Sequence, residues 1–195
     1  MTTQTPTPVP TRIVDGVELP VAGRYELDAS HSSVGFSVRH LMVSKTKGRF
    51  AEFTGAITIG EDPLESSVEV DIATASIDTR DETRDGHLRS PDFFDVENHP
   101  AIRFRSTSVA PAAKGTWAVE GNLSVAGVTL PVPLTVTFEG GAVDPWGGSR
   151  LGFEAHAELD RTAFGLSWNQ ALETGGILVG NTVKVEISAE AVAVA

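Results

Sequence analysis

The chain contains no cysteine. That excludes disulfides, thiolate metal sites and a cysteine nucleophile, and it says nothing about compartment. Cations are also scarce: 15 Lys and Arg stand against 26 Asp and Glu, for a net charge of −11. A protein this acidic is repelled by phosphate backbones, so no nucleic acid is expected as a partner. The same chain-wide charge argues against attraction to an anionic membrane surface. Long apolar runs are missing too. The longest charge-free stretch lies between Glu120 and Glu139 and carries Asn122, Ser124, Thr129, Thr135 and Thr137, with Pro131 and Pro133 in its middle. It cannot be a spanning helix, so no stable membrane insertion is expected. The N-terminus lacks a basic region ahead of an apolar stretch and lacks a small-residue cleavage site, which predicts a cytoplasmic protein.

What is present suits one folded domain. The chain has 195 residues, 41% hydrophobic, with 19 glycines. That length buries a full core and is short for two domains. Residues 1–22 read as a Thr/Pro-rich N-terminal extension, partly disordered, with 1–12 having little to bury. The apolar residues of 13–22 fit either a surface stretch or a short edge element. Residues 23–195 form the domain proper.

From Gly23 onward the dominant signal has period two. Val34, Phe36 and Val38 alternate with Ser and Arg, and Val68, Val70 and Ile72 with Glu69 and Asp71. The same alternation marks Ile102 and Phe104, Trp117 to Val125, Val128 to Phe138, Leu151 to Leu159, and Val183 to Ile187. In 49–60, Phe53, Ile57 and Ile59 share one parity while Phe50 has the other, which points to a bulge. Each segment has one apolar and one polar face. Turn signals separate them, among them Gly60-Glu-Asp-Pro63, Gly140-Gly141 and Asp144-Pro-Trp-Gly-Gly148. Consecutive strands without intervening helices predict an antiparallel sandwich or barrel, and closure removes two costly edges.

One segment breaks the pattern. Thr79-Arg-Asp-Glu82 reads as a capping box opening a short, mostly solvated helix near residues 79–90. Ser90-Pro-Asp-Phe-Phe-Asp95 follows, and its adjacent phenylalanines are expected to plug one end of the sheet structure and gate it.

Reactive constellations are weak. The histidines His31, His40, His87, His99 and His156 show no HxH, HxxxH or HExxH spacing, so no metal site is expected. Asp28, Ser30 and His31 are triad residue types, but neighbours in a strand turn are expected to point apart. No G-x-S-x-G elbow occurs. The apolar faces remain. They fit an ordinary packed core or a barrel hollow enough for one small apolar molecule, and periodicity alone does not choose.

Longer motifs bear on that choice. Gly23-x-Tyr-x-Leu-Asp28, His31-Ser32, Val34-x-Phe36-x-Val38-x-His40 and Lys47-Gly48-x-Phe50 resemble the opening of the YceI-like, or polyisoprenoid-binding, family. Ser76-Ile-Asp-Thr79 leading to Arg84-Asp-x-His-Leu-Arg-Ser90-Pro-Asp-Phe93 is the most specific match, followed by Pro100-x-Ile-x-Phe104. Gly127-Val128-Thr129-x-Pro131-Val132, Arg161-x-x-Phe164-Gly165 and Val179-Gly180-x-x-Val183 are also similar. The resemblance spans about residues 23–192 in order. It implies an all-β fold: a single extended antiparallel lipocalin-like β-barrel of about eight strands. It also implies a homodimer, no cofactor, and a long-chain isoprenoid or related amphiphile held inside. The ligand-binding residues expected on the apolar parity are Val34, Phe36, Val38, Phe53, Ile57, Val70, Ile102, Phe104, Val119, Leu134 and Phe153. Phe164 and Trp168 are expected near a mouth, at the end opposite the plug. The expected function is to sequester or carry the lipid, not catalysis. The alternatives are a lipid-modifying or hydrolytic enzyme using the same cavity, and a packed barrel acting through its surface.

Overall fold

A computed structural model describes residues 9–41, 43–171 and 176–194. The expectation of disorder in residues 1–8 lies outside the described residues. The strands are β1 (Thr11–Val14), β2 (Val17–Pro20), β3 (Gly23–Leu27), β4 (Ser33–His40), β5 (Ser44–Phe50), β6 (Phe53–Ile59), β7 (Ser67–Ala73), β8 (Ile77–Asp78), β9 (Ala101–Pro111), β10 (Thr116–Val125), β11 (Val128–Val143), β12 (Ser149–Asp160) and β13 (Val179–Ala193). One α-helix, α1 (Glu82–Arg89), lies between β8 and β9. No described helix is long and apolar enough to cross a membrane.

Three walls of the structure are broken strands. β3 and β4 lie end to end along one edge of β13, with Ala191 opposite Leu27 and Ser188 opposite Ser33. β5 and β6 run beside them, β4 pairing with β5 and β3 with β6. β7 and β8 form the next wall, against β6 and β5. β9, β10, β11 and β12 follow in order, and β12 pairs with β13 along its length. Every wall is antiparallel to its neighbour in sequence, and the last meets the first. The result is a closed eight-stranded up-and-down barrel with one short helix. Closure pairs the edges that an open sheet of this size would leave exposed.

The breaks explain the parity conflict. Between β5 and β6, Ala51 N–H donates to the Ser76 carbonyl and Glu52 N–H to the Ser76 hydroxyl. The two extra residues let Phe50 and Phe53 both turn inward, where each is buried. Inside, one cluster gathers Val34, Phe50, Phe53, Ile77, Ile102 and Phe164, and a lower one gathers Tyr25, Ile57, Leu151 and Ala191.

The helix starts differently from the sequence expectation. Its N-cap is Asp81, whose side chain accepts from Arg84 N–H at 3.0 Å. Thr79 is engaged elsewhere: its N–H (2.9 Å) and hydroxyl (2.5 Å) both donate to the buried carboxylate of Asp85. Arg80 lies at φ 64°, so the chain turns sharply before the helix begins, and Thr79 cannot serve as cap. The Thr79–Glu82 capping box is therefore not formed.

Residues 11–20 form a hairpin outside the ring, β1 against β2. Leu19 and Pro20 are buried. Arg12 ties the hairpin to the β6–β7 turn, donating to the carbonyls of Pro20 (3.1 Å), Gly60 (2.6 Å) and Glu61 (2.9 Å). Between the two possibilities for 13–22, the chain takes the short strand element, because Leu19 finds an apolar surface to cover.

Candidate functional site

The inward faces do not fill the barrel. They leave a cavity of about 330 Å³ running between the two ends, within the size range of small-molecule pockets, roughly 300–1,000 Å³. Val34, Phe36, Val38, Phe53, Ile57, Val70, Ile102, Phe104, Val119, Leu134, Phe153 and Phe164 all line it. The alternation on each strand places them there: one parity faces in, and the other carries the charges to solvent. Polar side chains on the wall are few, namely Arg12, Ser32, Ser33, Ser66 and Arg161.

Trp168 does not line the cavity. It stacks instead on the outer seam of the plug, 4.6 Å from His87 and 5.4 Å from Phe93 between ring centroids. This contact also corrects the expected layout: Phe164 and Trp168 sit at the same end as the plug, because the segment after β12 folds back against α1.

Each end has its own closure. At the upper end, α1 contributes Leu88 to the cavity wall, and Phe93 and Phe94 follow from the loop after it. Phe94 packs edge-on against Phe50 at 5.9 Å. The turn between β10 and β11 needs positive φ at Ala126 (47°) and Gly127 (81°), and a side chain on Gly127 would strike His99 at 2.8 Å. Glycine there lets the loop before β9 close down on the turn. Arg161 holds the remaining cover. It is buried, and its guanidinium donates to the carbonyls of Gly180 (2.9 Å), Trp168 (3.0 Å), Val179 (3.3 Å) and Leu166. Burial pushes its pKa down, against the pull of Asp160. At the lower end, β2 brings Leu19 and Pro20 onto the cavity, with Arg12 beside them. Sequence reasoning missed this closure. The signal was Leu19-Pro20 among the scattered apolar residues of 13–22, too short a run to outweigh the Thr/Pro-rich stretch before it.

The polar clusters lie outside. Contrary to expectation, Asp28, Ser30 and His31 do converge, because the β3–β4 break turns tightly. Ser30 Oγ donates to Asp28 at 2.5 Å, and His31 Nδ1 lies 2.9 Å from the other carboxylate oxygen. Ser30 Oγ also lies 3.1 Å from that same Nδ1, so one ring nitrogen faces both the hydroxyl and the carboxylate, whereas a triad needs the imidazole between them with a different nitrogen on each. None of the three lines the cavity. Asp28, His31 and Glu190 also form a metal-like group, but Arg150 already bonds both of its carboxylates, Asp28 (2.8 Å) and Glu190, and Asp144 (2.9 Å) beside them. The Ser30 hydroxyl and the Arg150 guanidinium hold the Asp28 carboxyl well below the usual range.

Fold and site together define a closed up-and-down barrel around an apolar cavity with a cover of side chains at each end. A model of the YceI-like domain matches residues 25–191, and the chain belongs to that family. A UPF0312 protein of Serratia proteamaculans is 41% identical over 150 residues, covering 75% of this chain and 78% of the relative. A UPF0312 protein of Staphylococcus aureus is 37% identical over 168 residues, covering 85% and 95%. Among solved structures, the Campylobacter jejuni YceI protein superposes with TM-score 0.68 at 25% identity, covering 80% of this chain and 90% of its own. A polyisoprenoid-binding domain from Saccharophagus degradans, implicated in plant cell wall breakdown, superposes with TM-score 0.64 at 17% identity, covering 87% and 98%.

Proposed function

We propose that the protein binds one long-chain apolar lipid of polyisoprenoid type inside the barrel and sequesters or carries it. The observation that carries this reading is the interior cavity with its almost wholly apolar wall. Each buried CH₂ of a guest contributes about 0.8 kcal/mol, so a long chain binds without specific polar contacts. The polyisoprenoid-binding description of the Saccharophagus domain, which shares the fold, supports the same class of guest. The few polar side chains of the wall include no nucleophile held by a base, which favours carriage over turnover. Family resemblance further points to a homodimer, measurable by light scattering.

The test is organic extraction of the purified protein followed by mass spectrometry. An intact isoprenoid chain is the expected result. A processed product favours the enzyme reading, and the absence of any lipid favours the packed barrel. Phe36→Asp, which places a carboxylate that must desolvate beside the guest, is expected to lose the lipid while staying folded. Unchanged lipid content in that variant would place the guest elsewhere.

A further inference from the structure

The net charge of −11 hides a local reversal. Between residues 29 and 51 the sequence holds Arg39, Lys45, Lys47 and Arg49 and no Asp or Glu. The structure puts all four on the exposed outer face of the β4–β5 hairpin, with Arg39 directly opposite Lys45. Like charges facing across strands destabilise a hairpin. Arg49 is relieved by Asp78 at 3.2 Å, but no ion pair among the described residues involves Arg39, Lys45 or Lys47.

The tip is as unusual as its flanks. Short hairpin loops favour Asn, Asp and Gly. This one reads Leu41-Met42-Val43. Leu41 takes a left-handed φ of 53°, a conformation that costs a bulky residue energy. Val43 is 82% exposed. Leu41 N–H donates to the Leu178 carbonyl at 2.9 Å, one residue along the chain from the exposed Ile177. Strain and exposed apolar surface are thus spent together on a tip flanked by unneutralised cations.

We infer that this hairpin docks the upper end of the barrel reversibly onto an anionic lipid bilayer, the apolar tip entering the interface and the cations meeting the headgroups. Such pairing is how peripheral elements hold a charged membrane. The rest of the acidic protein does not forbid it, because charges farther than about 8 Å are largely screened at physiological ionic strength. Edge protection is the competing explanation for Lys45 and Lys47, since lysines on unpaired strands discourage edge-to-edge pairing. It accounts neither for Arg39, which sits on the inner strand of the hairpin, nor for the tip. β4 also carries Val34, Phe36 and Val38 on its inner face, so docking would set the cavity's upper end against the bilayer. The purpose of docking rests on the lipid-carrier reading; its geometry does not.

The experiment is flotation of the full chain with vesicles of phosphatidylcholine alone or mixed with phosphatidylglycerol, both free of isoprenoid. Binding is expected only to the anionic vesicles and is expected to be lost in high salt. Lys45→Gln and Lys47→Gln should each lower partitioning about fivefold. Val43→Asp should abolish it, and Arg24→Gln at the opposite end should leave it unchanged. Equal binding to neutral vesicles, or none to either, overturns the inference. So does loss of binding in Trp146→Phe, which would put the contact at the lower end, where Trp146 is 88% exposed. A Val43→Asp variant that changes only oligomeric state would assign the tip to a second copy of the chain. Lipid extraction reads cargo separately: cargo without docking sinks this inference alone, and docking without cargo sinks the carrier reading alone.

Discussion

Removing the Phe94 side chain should open the upper end before it unfolds the barrel. The plug has little else apolar to hold it. In α1 only Leu88 reaches the cavity, while Asp85 and Arg89 make polar contacts, Arg89 donating to the carbonyls of Ala75 (2.9 Å) and Ile77 (2.8 Å). Phe94 packs on Phe50 and is only partly buried. Phe→Ala in a full core costs about 3–5 kcal/mol, so the low end, about 3 kcal/mol, suits this site. Where that cost falls on a local opening, the open population rises about a hundredfold. The assay is stopped-flow exchange of a fluorescent isoprenoid beside a thermal melt. Phe94→Ala should exchange roughly a hundred times faster with its far-ultraviolet β signature intact. Leu19→Ala provides the mirror test at the lower end, and its exchange rate should stay near the parent value. Parent-like exchange in Phe94→Ala with a lowered melting temperature would show that Phe94 is global core and the plug no gate. Faster exchange in Leu19→Ala alone would move the entrance to the hairpin end.

Three further outcomes are expected. The Asp28 carboxyl is lowered chiefly by the Ser30 hydroxyl and then by Arg150, and Asp144 chiefly by Arg150. Folded values below the unfolded one, near about 3.9, give stability that is present above that pH and lost as pH falls below it. Urea midpoints should therefore drop between neutral and strongly acidic pH, and Arg150→Gln should be weaker at neutral pH with a shallower drop; parallel curves would refute the linkage. Prolonged chelation should change neither the melt nor the lipid content, because the Arg150 guanidinium already neutralises Asp28 and Glu190; a loss restored by a divalent ion would contradict this. Gly121→Ala would set a methyl 2.3 Å from Phe104 Cζ and 2.8 Å from the Arg105 carbonyl, driving the ring into the cavity at about 1–3 kcal/mol, so extraction should recover less lipid; full occupancy would mean that the ring moves another way.

Much of the wall was legible because alternation is a local property. The parity of Val34, Phe36 and Val38 selects the side that faces inward whatever the rest of the chain does, and the same holds for Ile102 and Phe104. Long-range partners decided what alternation left open. Glu52 and Ser76 make the break that turns both Phe50 and Phe53 inward, and no window around residue 51 contains Ser76. The capping box failed for the same reason: Thr79 has the right neighbours in sequence, but Asp85 outcompetes the helix for its hydroxyl. Trp168 has the composition of a cavity residue, yet its ring finds His87 and Phe93 first. Even the triad residues Asp28, Ser30 and His31 converge only because the β3–β4 break is tight, and they converge on a single ring nitrogen of His31.

The two ends of the barrel are closed by different physics, and that difference indicates which part moves. Guanidinium groups clamp the β1–β2 hairpin and the segment after β12, and a third ties turns on the outer wall. Arg12 pins the β1–β2 hairpin through three backbone carbonyls. Arg150 gathers the turns around Asp28, Asp144 and Glu190. Arg161 pins the segment after β12 from a buried position. Breaking such bonds leaves a charge and several carbonyls to be resolvated, and hydrogen bonds to charged groups are each worth about 1.5–3 kcal/mol. The segment from Phe93 to His99 has no comparable clamp among the described residues. It closes on the cavity through Phe93 and Phe94, and its outer face meets the pinned segment along the His87–Phe93–Trp168 seam. Aromatic contacts of that kind slide and separate without stranding a charge. The Arg12 hairpin lies before residue 25, where the family match begins, so this chain seals its lower end with residues outside the matched domain. In a barrel clamped below and on one side above, the loop after α1 is an unclamped element among the described residues. Through Phe94 it packs on Phe50 of β5, the strand that also carries Lys45, Lys47 and Arg49.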